Sequence, residues 1–313
     1  MILFGKKEQY IKPEFIDKRD IAIISPSSPE PEFIPQKLQR GLLNLQKMGF
    51  KVKESHCIYN EYPEREEGYK ERARIINSIV TDKSVGGLIC KTGGSGSINI
   101  LKFLEDFMIQ INPKMLCGYS DNTSLLMYLN DKLKLVVFHG PTLVPGLSDL
   151  GDLSEKYFIK VFSENKYPLE IKLNSFVSWK NGKVTGKVIG GNLTVLIDYL
   201  NMFPETDFKN KILFLEEVGE TPETINQFFQ KLKVKGVFKD IKGILIGQFK
   251  KIAEKELHQL KQYLLSNLDK QIPVLYGFMS GHGKEKIPLP FGIDVTIDAT
   301  ALKVIYEECP FKV

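Results

Sequence analysis

The chain lacks any apolar run near the ~20 residues that a membrane-crossing helix needs. Its first residues, MILFGKKEQYIKPEF, lack the apolar core and small-residue cleavage site of a secretory leader. Cysteine is scarce, with Cys57, Cys90, Cys117 and Cys309 the only four. None stands in a Cys-x-x-Cys or Cys/His spacing, which argues against a disulfide framework and against a zinc site. Reduced thiols in a cytoplasmic protein are the expectation. Arginine is scarce as well: Arg19, Arg40, Arg65, Arg72 and Arg74 are all there are, and the rest of the 43 basic side chains are lysines. Nucleic-acid readers use clustered arginine for bidentate contacts, so no nucleic-acid partner is expected from a net charge of only +5 spread among acidic residues. The densest basic stretch, Lys231 to Lys239, reads as a solvated helix end. No internal repeat or low-complexity tract is present.

What is present is ordinary globular composition, 42% hydrophobic and 26% charged. At 313 residues the chain fits one large α/β domain or two modest ones. The first half alternates strand and helix. Asp20 to Ser25 is a β-branched run ended by Pro26. Pro35 opens a helix with Leu38, Leu42, Leu45 and Met48 on one face, stopped by Gly49. Phe50 to Glu54 alternates as a strand, and Glu71 to Val80 has a helical pattern. Val85 to Cys90 is a short buried strand leading into the glycine loop KTGGSGS and a helix NILKFLEDF. Lys114 to Gly118 and Leu135 to Phe138 are further strands on either side of the helix SLLMYLND. Repeated β-α units of this length predict a parallel sheet covered on both faces. From about Leu147 the pattern changes to strands joined by turns such as Asn181-Gly182, interleaved with helices at Leu193 to Leu200, Pro222 to Val234 and Glu256 to Leu268. The expected division is residues 1–165 as an α/β domain and 166–313 as a smaller, mixed α/β domain.

Four segments can carry chemistry. In Cys117-Gly118-Tyr119-Ser120-Asp121, Ser120 lies between a strand end and a helix start, where open α/β sheets bind ligands and helix N–H groups point outward. Ser120 is there either a nucleophile beside half an oxyanion hole or a helix cap. The G-x-S-x-G elbow is not met, because Asn122 holds the fifth position. Thr92-Gly93-Gly94-Ser95-Gly96 also joins a strand to a helix. It reads as a phosphate cradle, though without the Lys-Ser/Thr ending of a P-loop or the full dinucleotide spacing, as a second oxyanion donor, or as a plain tight turn. The strand Ile212 to Glu217 ends on Glu216-Glu217, and period-two alternation sends one into a cleft and the other to solvent. Glu220 lies before a helix that starts at Pro222 with Thr221 as N-cap. Gly281-His282-Gly283 places a histidine in a loop with free access. His139, after a strand, is the reserve. His258 reads as a surface residue and His56 as a strand end. Serine, glutamate and histidine thus occur in the order that nucleophilic acyl transfer can use, each at a strand end or in a loop.

The segments IAIISPSSP, GGLICKTGGSGSINIL, INPKMLCGYSDNTSLL, VFHGPTL, GKVIGGNLTVL, ILFLEEVGETPETI, GILIGQF and VLYGFMSGHGKEKIPLPFGIDVTID, in that order, resemble the LD-carboxypeptidase family of serine peptidases. The resemblance runs from about Lys12 to Tyr306. It implies a flavodoxin-like N-terminal domain, a mixed α/β C-terminal domain and an active site between them. It places the nucleophile on Ser120, the carboxylate on Glu216 and the general base on His282. The oxyanion donors fall on the amides of Asp121 and Gly94, and Gly93, Ser95 and His139 stand as substrate contacts. No metal or organic cofactor is implied, and family members are commonly homodimers. Two substrate classes follow: muropeptide tetrapeptides cleaved at an L-D bond, or the peptidyl- and aminoacyl-nucleotides cleaved by microcin C immunity hydrolases. A non-catalytic peptide- or nucleotide-binding protein is the alternative of another class. Carboxypeptidase members usually read R-G-G-Y-G in the glycine loop, where this chain has Thr92 and Ser95. Lys91 or Lys284 can stand in for the missing positive charge, or be solvated.

Overall fold

The computed structural model describes residues 9–16, 20–27, 35–53, 62–268 and 271–312. His56 and Cys57 lie outside them. The first half of the chain supplies β1 (Asp20–Ile24), β2 (Val52–Lys53), β3 (Val85–Cys90), β4 (Met115–Gly118) and β5 (Val137–His139). The second half supplies β6 (Leu169–Ile171), β7 (Val177–Lys180), β8 (Lys183–Asn192), β9 (Ile212–Val218), β10 (Gly243–Lys250), β11 (Val274–Tyr276), β12 (Leu289–Phe291), β13 (Asp294–Asp298) and β14 (Lys303–Tyr306).

The first sheet has the order β12-β5-β4-β3-β1-β2. Its strands β1 to β5 pair in parallel throughout. Every residue of β3, VGGLIC, is buried, as expected where helices cover both faces. Gly87 lies close under β4, where a Cβ would stand 2.7 Å from the Met115 methyl and that flexible end would have to move. The edge strand β12 comes from the far end of the chain and pairs antiparallel with β5. Phe311 likewise returns to stack on Phe138 at 5.6 Å. Residues beyond 166 therefore complete the first sheet.

The second sheet has eight strands in the order β6-β14-β13-β8-β9-β10-β11-β7. Its centre, β8 to β11, is parallel; β13, β14, β6 and β7 join antiparallel. The mixed α/β character expected of this half is what the strands show.

Two local expectations are corrected. Asn181-Gly182 does not close a hairpin, since β7 pairs with β11 and β8 with β13 and β9. Gly182 is tied to the β13–β14 corner, accepting from Ala299 N–H at 2.9 Å and donating to Thr300 Oγ1 at 3.0 Å. The helix expected over NILKFLEDF breaks into Ser97–Ile100, a tighter turn at Leu101–Phe103 and a new helix at Asp106–Ile111. The Asn77 side chain causes the break by donating to Phe103 O and accepting from Glu105 N–H, both at 3.0 Å. Elsewhere the helix Pro222–Val234 starts as read, with Thr221 Oγ1 accepting from Thr224 N–H at 3.2 Å. No helix among the described residues is long and apolar enough to cross a membrane.

Candidate active site

Strand β4 ends at Gly118, and the chain then turns sharply. Ser120 has φ of +62°, a left-handed conformation that a residue with a Cβ adopts only when its surroundings hold it there. They do so through the residues that follow. The Asn122 amide donates to Thr92 O and to Tyr119 O, both at 2.9 Å, and accepts from Ser27 Oγ at 3.2 Å. The Asp121 carboxylate accepts from Ser97 N–H at 2.9 Å, while Ser97 Oγ donates to Asp121 O at 2.5 Å. The loop after β4 is thereby fastened to both ends of the glycine loop after β3. Burial pushes the Asp121 carboxyl above its usual range, and the Ser27 and Ser97 hydrogen bonds oppose that push. Asp121 thus links two loops, and its side chain does not cap its own helix. The Ser120 hydroxyl makes no cap either; its partner is His282 Nε2 at 3.0 Å.

His282 Nδ1 lies 2.7 Å from Glu216 Oε2. Glu216 is fully buried at the carboxyl end of β9. An ionised carboxylate accepts the Nδ1 proton, which leaves Nε2 as the acceptor for the serine hydroxyl. Glycine makes this approach possible. Gly281 has φ of +109°, and a Cβ there would stand 2.5 Å from Glu216 Oε2. The far side of the imidazole meets the edge of Tyr119 at a ring separation of 5.0 Å. The loop carrying His282 is anchored twice. Lys286 Nζ donates to Gly283 O at 2.7 Å and lies 5.6 Å over the Tyr119 ring, with burial lowering its pKa. Glu285 accepts from Ser154 N–H and Oγ at 2.8 and 2.7 Å.

Of the acidic residues near the end of β9, Glu216 is the one that meets the histidine. Glu217, expected to face solvent, is only 3% exposed. It accepts from Thr194 N–H and Oγ1 at 2.8 Å, from Asn192 Nδ2 at 3.2 Å and from Val218 N–H at 2.7 Å. It serves the N-terminus of the helix Leu193–Met202, whose cap is Asn192, and burial raises its pKa. Alternation does send the two glutamates to opposite faces, but the sheet is covered on both.

The glycine loop lies directly on the serine. A Cβ on Gly93 would stand 2.9 Å from Ser120 Cβ and 3.0 Å from its Oγ. Gly94 has φ of +123°. Ser95 is exposed, and its hydroxyl donates to Glu64 Oε1 at 2.5 Å. Two expectations are corrected here. His139, expected to contact substrate, is fully buried with Nδ1 2.8 Å from Ser280 Oγ, so no ligand in the cleft reaches it. Lys91, one of the two stand-in cations, is also buried, at 1% exposure, whereas Lys284 is exposed. Sequence reasoning missed Ser27, Ser97, Asn122, Ser154 and Lys286. Asn122 was legible in part, as the residue that breaks the G-x-S-x-G pattern. No group of three or more His, Cys, Asp or Glu among the described residues could hold a metal ion.

The end of β4 in one sheet, the end of β9 in the other and the loop after β11 bring a serine, a glutamate and a histidine together through two hydrogen bonds, an arrangement suited to hydrolase chemistry. The family is equally definite. Residues 21–140 match the LD-carboxypeptidase N-terminal domain, and residues 185–297 match the LD-carboxypeptidase C-terminal domain. The chain belongs to the LD-carboxypeptidase family. It is 30% identical over 306 residues to the probable murein peptide carboxypeptidase of Bacillus subtilis, covering 95% of this chain and 94% of that one. It is also 30% identical over 312 residues to the microcin C7 self-immunity protein MccF of Escherichia coli, covering 89% and 90%. Among solved structures, MccF in complex with aspartyl sulfamoyl adenosine superposes with a TM-score of 0.83 at 25% identity, covering 96% of this chain and 100% of that one. An MccF-like protein from Bacillus anthracis gives 0.81 at 25% identity, covering 96% and 98%.

Proposed function

We propose that the protein is a serine-type LD-carboxypeptidase that hydrolyses the L-D peptide bond of peptidoglycan-derived tetrapeptides. The observation that carries the chemistry is the unbroken path Ser120 Oγ–His282 Nε2, His282 Nδ1–Glu216 Oε2, at 3.0 and 2.7 Å. In this reading His282 takes the Ser120 proton as Oγ attacks the carbonyl carbon. Glu216 holds the imidazole tautomer and stabilises the imidazolium. The oxyanion is received by the amides of Asp121 and Gly94. His282 then gives its proton to the departing D-amino acid, and water repeats the sequence to free Ser120. The strained φ of Ser120 keeps its hydroxyl clear of the helix that follows. The match with the murein peptide carboxypeptidase along 95% of the chain supports the substrate class.

A second reading has its own support: hydrolysis of an aminoacyl- or peptidyl-nucleotide by the same three residues. MccF, equally similar in sequence, is known in complex with aspartyl sulfamoyl adenosine. Thr92 and Ser95 replace the loop Arg and Tyr usual in the carboxypeptidases. One experiment separates the readings. The purified protein is given an L-D tetrapeptide and, separately, aspartyl sulfamoyl adenosine. Release of D-alanine from the first, abolished by Ser120→Ala, supports the carboxypeptidase. Cleavage of the second alone supports the immunity-type hydrolase. Saturable binding without turnover, and no labelling of Ser120 by a fluorophosphonate, supports a binding protein. A cytoplasmic location and a homodimeric state belong to the same proposal, the latter checked by sedimentation.

A further inference from the structure

Glu216 uses one of its two oxygens on His282. The other, Oε1, is buried and has no hydrogen-bond partner among the described residues. An ionised carboxylate oxygen left bare in the interior is costly, so a donor is called for. The buried His139 is near enough to feel the Glu216 charge. Phe214 and Glu216 are two residues apart on β9 and so project from the same face, about 7 Å apart along the strand. The His139 ring packs against Phe214 at a centroid separation of 4.9 Å, with Phe291 behind it at 6.2 Å. Gly247 on the adjacent strand leaves room, since a Cβ there would stand 2.9 Å from both Glu216 Cβ and Ser280 O. His139 Nδ1 lies 2.8 Å from Ser280 Oγ, and its Nε2, like Gln248 Oε1 on the adjacent strand, is buried without a partner among the described residues; of these two only the imidazole nitrogen can carry a proton. The Glu216 charge acts on the His139 imidazole through space.

We infer that His139 and Ser280 form a positioning pair behind the triad, in which the single Ser280 Oγ proton goes to His139 Nδ1 at 2.8 Å and not to the more distant His139 O at 3.3 Å, and so fixes the Nε2–H tautomer, whose proton serves Glu216 Oε1. The inference rests on the reading of Glu216 as the partner of a catalytic His282. Burial holds the His139 pKa down to about 4, so the ring is neutral near pH 7 and has a single N–H to direct. Neutrality matters, because a second imidazolium beside Glu216 would compete with the one that forms on His282. Other charged groups near the triad are Lys286, held on Gly283 O over Tyr119, Asp121 beside Ser120 and Glu285 on the histidine loop, while Glu217 faces away across the strand. His139 is therefore a positioning residue that never touches substrate.

The test has two arms. In the first, the wild-type protein carries 15N-histidine, and His139→Gln assigns the resonances. The proton is expected on Nε2; a proton on Nδ1 overturns the inference, whatever the substrate proves to be. The second arm measures Ser120 labelling by a fluorophosphonate against pH. His139→Phe keeps a flat ring but removes the donor. It should lower the labelling rate about tenfold, the effect of one lost hydrogen bond to a charged group, and shift the acid limb to higher pH. His139→Gln offers an amide N–H near the Nε2 position and should recover most of the rate. A purely structural role would give equal losses in both variants with an unmoved acid limb, and that result overturns the inference. If wild-type protein is not labelled at all, the triad reading itself fails, and the tautomer still reports on His139 independently.

Discussion

Gly93→Ala adds a single methyl group, and the structure says where it goes. The new Cβ would stand 2.9 Å from Ser120 Cβ and 3.0 Å from Ser120 Oγ, against the ~3.5–4.0 Å of an ordinary carbon contact. Gly93 is not among the residues with positive φ, so its backbone accepts alanine and the effect is steric. One of the two neighbours must yield by roughly 0.5–1 Å. Thr92, just before the glycine, is held by Asn122 at 2.9 Å, and Ser97, just after the loop, is held by Asp121. The Ser120 backbone is held by the same clamps, so its rotatable Oγ is the atom left to yield, and it sits 3.0 Å from His282 Nε2. A shift of that size takes the hydroxyl out of hydrogen-bond reach. Misplacements near 1 Å cost about a hundredfold in rate, so kcat should fall roughly ten- to a hundredfold while KM changes little. Overpacking of this kind costs about 1–3 kcal/mol of stability, which a thermal melt will register as a modest decrease. The assay pairs fluorophosphonate labelling with substrate turnover. A labelling rate within about twofold of wild type would refute the premise that the glycine loop confines Ser120.

Gly281→Ala should be more damaging, because the new Cβ meets Glu216 Oε2 at 2.5 Å at a φ of +109°. Activity should drop below detection and the melting temperature should fall; a folded variant with near-normal turnover would contradict the assigned geometry. Glu217→Ala removes the acceptor for Thr194, Asn192 and Val218 and should cost about 2–4 kcal/mol in urea denaturation, and a loss under about 1 kcal/mol would show the cluster to be dispensable. Asp121→Asn tests a pH dependence of stability. Burial raises the Asp121 pKa above 3.8, so the folded state holds the proton more tightly than the unfolded chain. Wild-type stability is thus eroded as pH rises from that value through the folded pKa, and the non-titrating asparagine escapes the erosion. The stability difference should move in favour of the asparagine variant as pH rises from about 3.5 to about 7, and a constant difference would count against the burial argument.

Much of the first sheet was legible because parallel strands buried on both faces leave continuous apolar runs such as VGGLIC between glycine and proline signals. The pairing of β7 was not legible. Asn181-Gly182 is a sound hairpin signal locally, but β7 and β8 take their antiparallel partners from distant parts of the chain, β11 and β13. The helix broken at Phe103 failed for a similar reason, since periodicity cannot register that Asn77 takes up the backbone groups there. At the site, chain order pointed to Ser120, Glu216 and His282, while the local sequence left the serine a possible cap. The burial of Glu217 and His139 escaped detection because both are polar residues at strand ends, where exposure is the ordinary outcome. Only the covering elements, the helix Leu193–Met202 over one and Phe214 with Phe291 over the other, reverse that outcome.

The way the site is assembled explains why so many of its close contacts involve glycine. Ser120 comes from one sheet and Glu216 from the other, and His282 joins them from a loop after β11. Each of the two hydrogen bonds therefore spans elements that packing alone would hold apart by the thickness of a side chain. Gly93 lets one loop lie on the serine, while Gly247 and Gly281 let the histidine loop lie on the glutamate. The polar residues around them then fix what the glycines permit: Asn122 and Asp121 bind the serine turn to the glycine loop, and Lys286 with Glu285 binds the histidine loop to its base. Close approach without these clamps would leave a mobile site, and clamps without the glycines would leave the groups too far apart. The loop positions where carboxypeptidases usually differ from this chain, Thr92 and Ser95, take neither role through their side chains: Thr92 is held through its carbonyl, and Ser95 is exposed and turned to Glu64. The alignment of the three groups therefore rests on Gly93, Gly247, Gly281 and their clamps, and not on the side chains of Thr92 and Ser95.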